Sequence, residues 1–305
     1  MTRRNILSFA ILACAVLSVA MNTSAQTADN PSPPKKSSYK YAERDWDVLT
    51  SQLHTAKPPS DKQIKSFVMA MIGEPVDEPF GSSVCSAGFF KIAESENESL
   101  VASVDLSGRH LCTDFEVIHR GANGLTMQSI YAWVGDDLSD VVRDLRKDGK
   151  YELVVPFDLS MYEGANSCMA TWGRIYVLQS DNLVDKSSEF KNYYKDQLDS
   201  LNAEMPKAKA DDVDQHSDSA TCLQMEIDKI ARFLGTSPNA GRDQAMDWVK
   251  SGDQYLRRKG FDVLADIGDQ QSIEVLQRYA KDSDPMIADE AKRALPAAHK
   301  IPTSK

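Results

Sequence analysis

The apolar residues of this chain keep two different periods, and the places where the period changes constrain the fold more than any other feature. From Val84 to Trp133 they alternate. The runs VCSAGFFKIA, SLVASVDL, HLCTDFEVIH and GLTMQSIYAW are strand-like, with the period of two that half-buried strands require. Before Val84 and after Ser187 the spacing is helical instead. Ala42, Trp46, Leu49 and Leu53 form one stripe. Ile64, Phe67, Val68, Met71 and Ile72 form a second, opened by the capping box Ser60-Asp61-Lys62-Gln63 and stopped by Gly73 and Pro75. Consecutive strands with helices on either side predict an α+β chain, not an alternating β-α one.

Ser107-Gly108 and Asn123-Gly124 are hairpin dipeptides in the links between three of the strands, so the region reads as an antiparallel meander. A two-residue turn at Asn123-Gly124 sets Val117 opposite Ile130 and Glu116 opposite Tyr131. YELVV and TWGRIYVLQ extend the sheet to six strands or so, followed by the turn Ser180-Asp181-Asn182 and a short strand at Leu183-Val184. A helix from Ser187 or Ser188 then aligns Phe190, Tyr194, Leu198, Leu201 and Met205. The expected organisation is a flexible linker at 26–40, an α+β domain at 41–205, a charged linker at 206–220, a helical module at 221–296 and a tail at 297–305.

The first 25 residues have the pattern of a secretory signal peptide: Arg3 and Arg4, an apolar run from Ile6 to Met21, then Thr23-Ser24-Ala25. That run falls short of the ~20 residues a spanning helix needs. The mature chain is therefore expected in the periplasm or outside the cell, with no transmembrane segment left after cleavage. The net charge of −10 becomes more negative when Arg3 and Arg4 leave, and an acidic surface repels phosphate backbones, so nucleic acid is not an expected partner. Export also leaves an even set of cysteines, Cys85, Cys112, Cys168 and Cys222, in an oxidising compartment. Of the three possible pairings, Cys85 with Cys112 and Cys168 with Cys222 keeps one bridge inside the strand region and ties the helical tail to it with the other.

The tail repeats itself. Setting Asp253 on Asp284 superposes Leu256 on Ile287, Gly260 on Ala291, Val263 on Ala294 and Leu264 on Leu295. Residues 263–295 also contain an Ile-Gly-Asp break between helices and an Asp-Pro pair that opens the next one, with Asp284 as N-cap and Pro285 in the first turn. In these residues the chain resembles the HEAT-repeat family, in its short-repeat form. The resemblance implies a small C-terminal α-solenoid, with the helices at 221–234 and 241–251 as its cap, and a role in binding.

The stretch RDLRKDGKYELVV carries Asp144, Asp148, Gly149 and Glu152 at positions one, five, six and nine of an acidic loop that runs into a strand. It resembles the calcium loop of the FG-GAP or VCBS-like family, the integrin-type propeller repeat, over residues 139–185. The resemblance implies a blade-like sheet and a calcium ion held by Asp144, Asp148 and Glu152. Arg146 stands where a third oxygen ligand belongs, and calcium takes six to eight oxygens. The loop therefore reads either as a calcium site or as a metal-free turn in which Arg146 or Arg143 pairs with Asp144 or Asp148.

Trp172, Arg174 and Tyr176 fall at every second position of one strand, and aromatic residues with arginine compose many binding hot spots, so these three are the expected binding residues. Tyr162, Tyr193 and Tyr194 are candidates to line the same region. His110 and His119 are nine apart on a strand and face opposite ways, as ordinary pairing residues. The expected function is an exported, non-catalytic protein that binds another protein, with no catalytic residues. The alternative is a secreted hydrolase working through acidic groups such as Asp144, Asp148 and Glu163 in a cleft.

Overall fold

A computed structural model of the chain describes residues 31–73, 83–95, 97–106, 112–122, 124–132, 137–159, 170–215 and 219–298. The expected signal peptide lies outside them, as do Ser107-Gly108, His110, Asn123, Tyr162, Glu163 and Cys168. Among the described residues no helix is long and apolar enough to cross a membrane.

Helices α1 (Ala42–Gln52) and α2 (Asp61–Ile72) form where the stripes require them. The Ser60 capping box is complete: its hydroxyl accepts the Gln63 N–H, and the Gln63 side chain accepts the Ser60 N–H. Gly73 then ends α2 in a left-handed conformation, φ 92°, which glycine adopts without a Cβ penalty.

Strands β1 (Ser83–Phe90), β2 (Ser99–Asp105), β3 (Asp114–Gly121) and β4 (Gly124–Tyr131) pair antiparallel in chain order. The sheet ends there, which corrects the expectation of one sheet of about six strands. Strands β5 (Val142–Arg143), β6 (Glu152–Asp158), β7 (Thr171–Gln179) and β8 (Asn182–Asp185) form a second antiparallel meander. The reason is burial. All seven residues of β2 are buried, so both faces of the first sheet need cover, and no helix is at hand for the second face. Val101, Phe115, Val117 and Ile130 instead pack against Leu153, Val155, Tyr176 and Leu178 of the second sheet.

The result is four layers. Trp46, Phe67, Val68 and Met71 of the first two helices cover the outer face of the first sheet, against Leu100, Ala102, Ile118 and Met127. On the far side, α3 (Lys191–Gln215) and α4 (Ser219–Leu234) lie over Val154 and Ile175 of the second. Each fully buried aliphatic or aromatic side chain in these layers contributes about 1.5–3 kcal/mol relative to exposure. Polar groups seam the two sheets together: Gln128 Oε1 accepts the Leu183 N–H at 2.8 Å, and Asp181 Oδ2 accepts the Ala122 N–H at 3.0 Å. A Cβ at Gly121 would lie 2.1 Å from the Asp181 carboxylate, so a side chain there would displace Asp181 from the Ala122 N–H.

Three further expectations change. The β3–β4 register places Phe115 opposite Ile130 and Glu116 opposite Ser129, each partner two residues from the expected one, because Gly121 faces Gly124 and the turn lies one residue earlier. Gly124 uses its φ of 96° to start the returning strand. Within the stretch read as a flexible linker, Lys35 bonds Met127 in both directions and the Ser32 N–H donates to Ser129 O at 2.8 Å, since β4 would otherwise leave its edge unpaired. Lastly, the charged stretch after Met205 does not leave the helix. α3 continues through Pro206 to Gln215 because it packs along α4 as a helical hairpin.

Cys85 and Cys112 form a disulfide with Cα atoms 6.4 Å apart, closing the strand region as expected. Cys85 sits at the register shift between Val84 and Ser86, where the bulge frees it from the β1–β2 ladder. Cys222 is also disulfide-bonded. A disulfide is compatible with export.

The C-terminal part consists of α5 (Arg242–Trp248), α6 (Gln254–Ile267), α7 (Gln270–Tyr279) and α8 (Pro285–Ala298). Asp253 caps α6 by accepting the Tyr255 and Leu256 N–H groups, and Asp284 accepts the Met286 N–H in the same way. Gly268 ends α6 at φ 63° and Asp269 caps α7, the break read from Ile-Gly-Asp. At Gly260 a Cβ would lie 2.7 Å from Val249 Cγ1, so only glycine lets α6 approach α5 this closely.

Candidate functional site

The strand β7 begins TWGRIY, and Gly173 interrupts its side chains on the face turned to the helices. A Cβ at Gly173 would be 3.1 Å from Val154 Cγ1 and 3.9 Å from the Tyr193 hydroxyl. Its absence leaves a cleft of about 280 Å³ between sheet and helices, lined among others by Asp140, Thr171, Trp172, Tyr193, Gln197 and Glu226. β7, α3 and α4 supply its aromatic rings and the Thr171, Gln197 and Glu226 side chains, while Asp140, Val141 and the β6 residues Val154 and Pro156 complete the lining.

The aromatic wall is ordered by its own contacts. Trp172 stacks on Tyr194 with centroids 4.7 Å apart and planes at 18°, and Phe233 of α4 closes on both rings at 5.0 and 4.7 Å. Such pairs contribute about 0.5–1.5 kcal/mol each beyond their buried area. The Tyr194 hydroxyl donates to Gly173 O at 2.7 Å, which fixes α3 on the strand, and burial pushes its pKa upward. Tyr193 crosses Tyr194 edge-on at 5.2 Å. Burial raises its pKa as well, with the Arg143 guanidinium pulling the other way.

Glu226 provides the polar end. Its Oε1 accepts the Thr171 N–H at 2.6 Å, so the first residue of β7 and the middle of α4 are held together by a carboxylate. Burial raises its pKa above the ordinary glutamate value, the bonds from Thr171 oppose that rise, and Glu204 adds to it. Two cations stand at the margins. Lys229 Nζ is 5.4 Å from the Trp172 ring centroid and Arg143 is 5.7 Å from that of Tyr193. Among the described residues no lysine, arginine or histidine lines the cleft.

The three expected binding residues are distributed differently from an exposed row. Trp172 is 7 % exposed and belongs to the cluster under α3 and α4, whereas Tyr176 is 1 % exposed and belongs to the cluster between the sheets. Arg174 lies over the Phe157 ring at 4.9 Å and reaches Asp185 at 4.0 Å. Of the three, only Trp172 enters the cleft. It is joined there by Tyr193 and Tyr194, which the sequence had grouped with it.

The acidic loop is built on its own backbone. Asp144 accepts the Asp148 and Gly149 N–H groups, each at 3.0 Å, and Asp148 accepts the Lys150 N–H at 3.0 Å. Glu152 is turned inward to the Leu145 N–H at 2.9 Å. Arg146 pairs with Glu152 at 3.4 Å and with Glu189 at 3.6 Å, not with Asp144 or Asp148. Among the described residues no group of three or more histidines, cysteines or carboxylates is arranged to hold a metal ion, so Asp144, Asp148 and Glu152 do not converge on one point. Of the acids proposed for hydrolysis, Asp144 and Asp148 are thus engaged by amides. His119 is buried on β3, 3.2 Å from the Thr126 hydroxyl, and burial lowers its pKa against the pull of Asp181.

Glu226 and Gln197 were missed in the sequence, although a signal exists for each. Cys222, Glu226 and Ile230 follow one another at steps of four on α4, and Tyr193, Gln197 and Leu201 do so on α3. A polar residue inside an otherwise apolar stripe is a buried polar group that needs a partner. Compared with family models, curated proteins and solved structures, the chain finds no match.

Proposed function

We propose that this is an exported, non-catalytic binding protein whose ligand enters the cleft between β7 and the α3–α4 hairpin. The observation that carries this reading is the convergence on one cavity of an aromatic wall and fixed polar groups from three elements, the usual form of a ligand site. In this reading the C-terminal helices are a short HEAT-like stack that fixes α4. Support for the stack comes from pairs one period apart. Arg293 donates to Asp262 at 2.9 Å, 31 residues back, and Gly260 and Ala291, also 31 apart, are both buried where helices meet. The 144–152 turn, blade-like in the FG-GAP manner, serves as a clasp closed by amides and by Arg146.

The test fills the cleft from its half-buried helical wall. Mature protein and its Gln197→Trp variant are immobilised and exposed to the envelope and extracellular fractions of the source cells. Wild type should retain a component that the variant loses by about tenfold or more, with unchanged melting temperature. Equal retention by the two would refute the cleft as the binding site, and turnover of the retained compound would refute the non-catalytic assignment.

A further inference from the structure

The charge and ring chemistry of the cleft select among ligands, and this step rests on the cleft being a binding site. Its ionisable lining groups are Asp140, Tyr193, Tyr194 and Glu226, which are carboxyls and phenols. Two cations at the margin stand over ring faces, Lys229 over Trp172 and Arg143, which also hydrogen-bonds the Tyr193 side chain, over Tyr193, so these rings already lie against positive charge. Lys229 is committed elsewhere, with its ammonium 2.6 Å from Asp266 Oδ1. An anion entering here would meet Glu226 and Asp140 at close range. A purely apolar molecule would strip water from Gln197, Thr171 and Glu226 with no hydrogen bond in return. A cation meets neither obstacle; what opposes it is the charge of Lys229 and Arg143 at the margin, of which Lys229 is neutralised by Asp266.

The carboxylate is also positioned in advance. The Thr171 N–H holds Glu226 Oε1 at 2.6 Å, which fixes the group without a positive partner in contact. Among the described residues no salt bridge engages Glu226 or Asp140. A cavity of about 280 Å³ is at the small end of ligand sites and fits a compact head group, not an extended chain. We infer that the cleft binds a small organic ammonium ion, its charge beside Glu226 and its methyl or methylene groups against Trp172 and Tyr193. The source is either a free amine or the side-chain ammonium of a partner's lysine.

The test uses the full mature chain, with choline chloride, butylammonium chloride and the neutral carbon isostere of choline, 3,3-dimethylbutan-1-ol, each titrated while the Trp172 indole N–H resonance is followed. A cation should give a saturable shift with an affinity about tenfold or more above that of the isostere, the scale of one desolvated cation–ring contact beside a carboxylate; butylammonium alone can add an N–H bond to Glu226. Glu226→Gln keeps an acceptor for Thr171 and should weaken the cation about tenfold while leaving the isostere unchanged. Gln197→Trp should abolish the shift. Preference for choline points to a free quaternary amine and preference for butylammonium to a lysine side chain. Equal binding of cation and isostere, or undiminished cation binding by Glu226→Gln, overturns the inference. If no probe binds while Gln197→Trp still loses the retained component, the ammonium assignment falls and the binding reading stands. If both fail, the binding reading falls with it.

Discussion

Glu116, on the central strand β3, is buried and Asp266, near the end of α6, is half-buried, and the surroundings of the two acids are opposite. Glu116 is 2 % exposed and its contact is a hydroxyl: Ser129 Oγ donates to it at 2.7 Å. Burial pushes its pKa up to about 7, with the Ser129 bond and the charge of Lys35 holding it back and Asp114 adding to the rise. Asp266 meets Lys229 Nζ at 2.6 Å and Arg232 Nε at 2.8 Å. Burial works against its charge too, but the two cations outweigh it and hold the carboxyl below its ordinary value. The difference follows from the elements. A central strand is surrounded by its own sheet, so an acid there finds only what the facing strand offers. Helices present side chains at steps of three and four, and Lys229 and Arg232, one such step apart on α4, reach the same acid on α6.

The contrast makes the two regions respond to pH with opposite signs. For Glu116 the folded value, about 7, lies above the reference of 4.5, so the folded state keeps a proton that the unfolded chain has released, and stability falls as pH rises between those values. The largest expected effect is therefore in Glu116→Gln, which keeps an acceptor for Ser129. It should flatten the profile and stabilise the protein at pH 8 by up to roughly 3 kcal/mol, at ~1.4 kcal/mol per pKa unit. Denaturant melts of both proteins from pH 4.5 to 8 measure this, and a flat wild-type profile would break the contrast.

A smaller effect of opposite sign is expected for Asp266→Ala. The wild-type carboxyl is held low, so its contribution is complete above the reference of 3.8 and lost as pH falls through the folded value. Its side chain is 31 % exposed, which lowers the loss to about 2 kcal/mol at neutral pH, below that of a fully buried pair. Thermal melts at pH 7 and pH 3 should show a destabilised variant at the first and a much reduced difference at the second. Equal differences at both would show that Lys229 and Arg232 do not need the acid. Smallest is Asp144→Ala, which removes the acceptor of two turn amides and should lower stability by about 1 kcal/mol. The same drop with excess calcium and with chelator sharpens the comparison, since amides are then its partners; a drop seen only with calcium would restore the metal reading.

What was legible in the chain is what neighbours in sequence decide. Alternation placed the strands, Ser60 and Gln63 announced the start of α2, and Asp253 and Asp284 marked helix caps 31 residues apart. The split into two sheets was not legible, because a period of two shows that a strand has two faces and not what covers the second one. The turn was placed one residue late, and the register two residues off, because Ala122-Asn123 and Asn123-Gly124 are equally short; Asp181, 59 residues away, accepts the Ala122 N–H and favours the earlier turn. Arg146 was assigned to the wrong acids for a similar reason, since one of its partners, Glu189, lies beyond β8. The cleft itself depends on Gly173, Gln197 and Glu226 meeting from three elements, and no local pattern joins them.

Helix α4 has two roles along one length: Glu226 and Ile230 border the cleft, while Lys229 and Arg232, on the intervening positions, grip Asp266 of α6. The helix is thus held from two sides, at Thr171 of β7 through Glu226 and at Asp266 of α6 through Lys229 and Arg232. The wall of the cavity and the terminal helices therefore share one support, and neither can be packed without it.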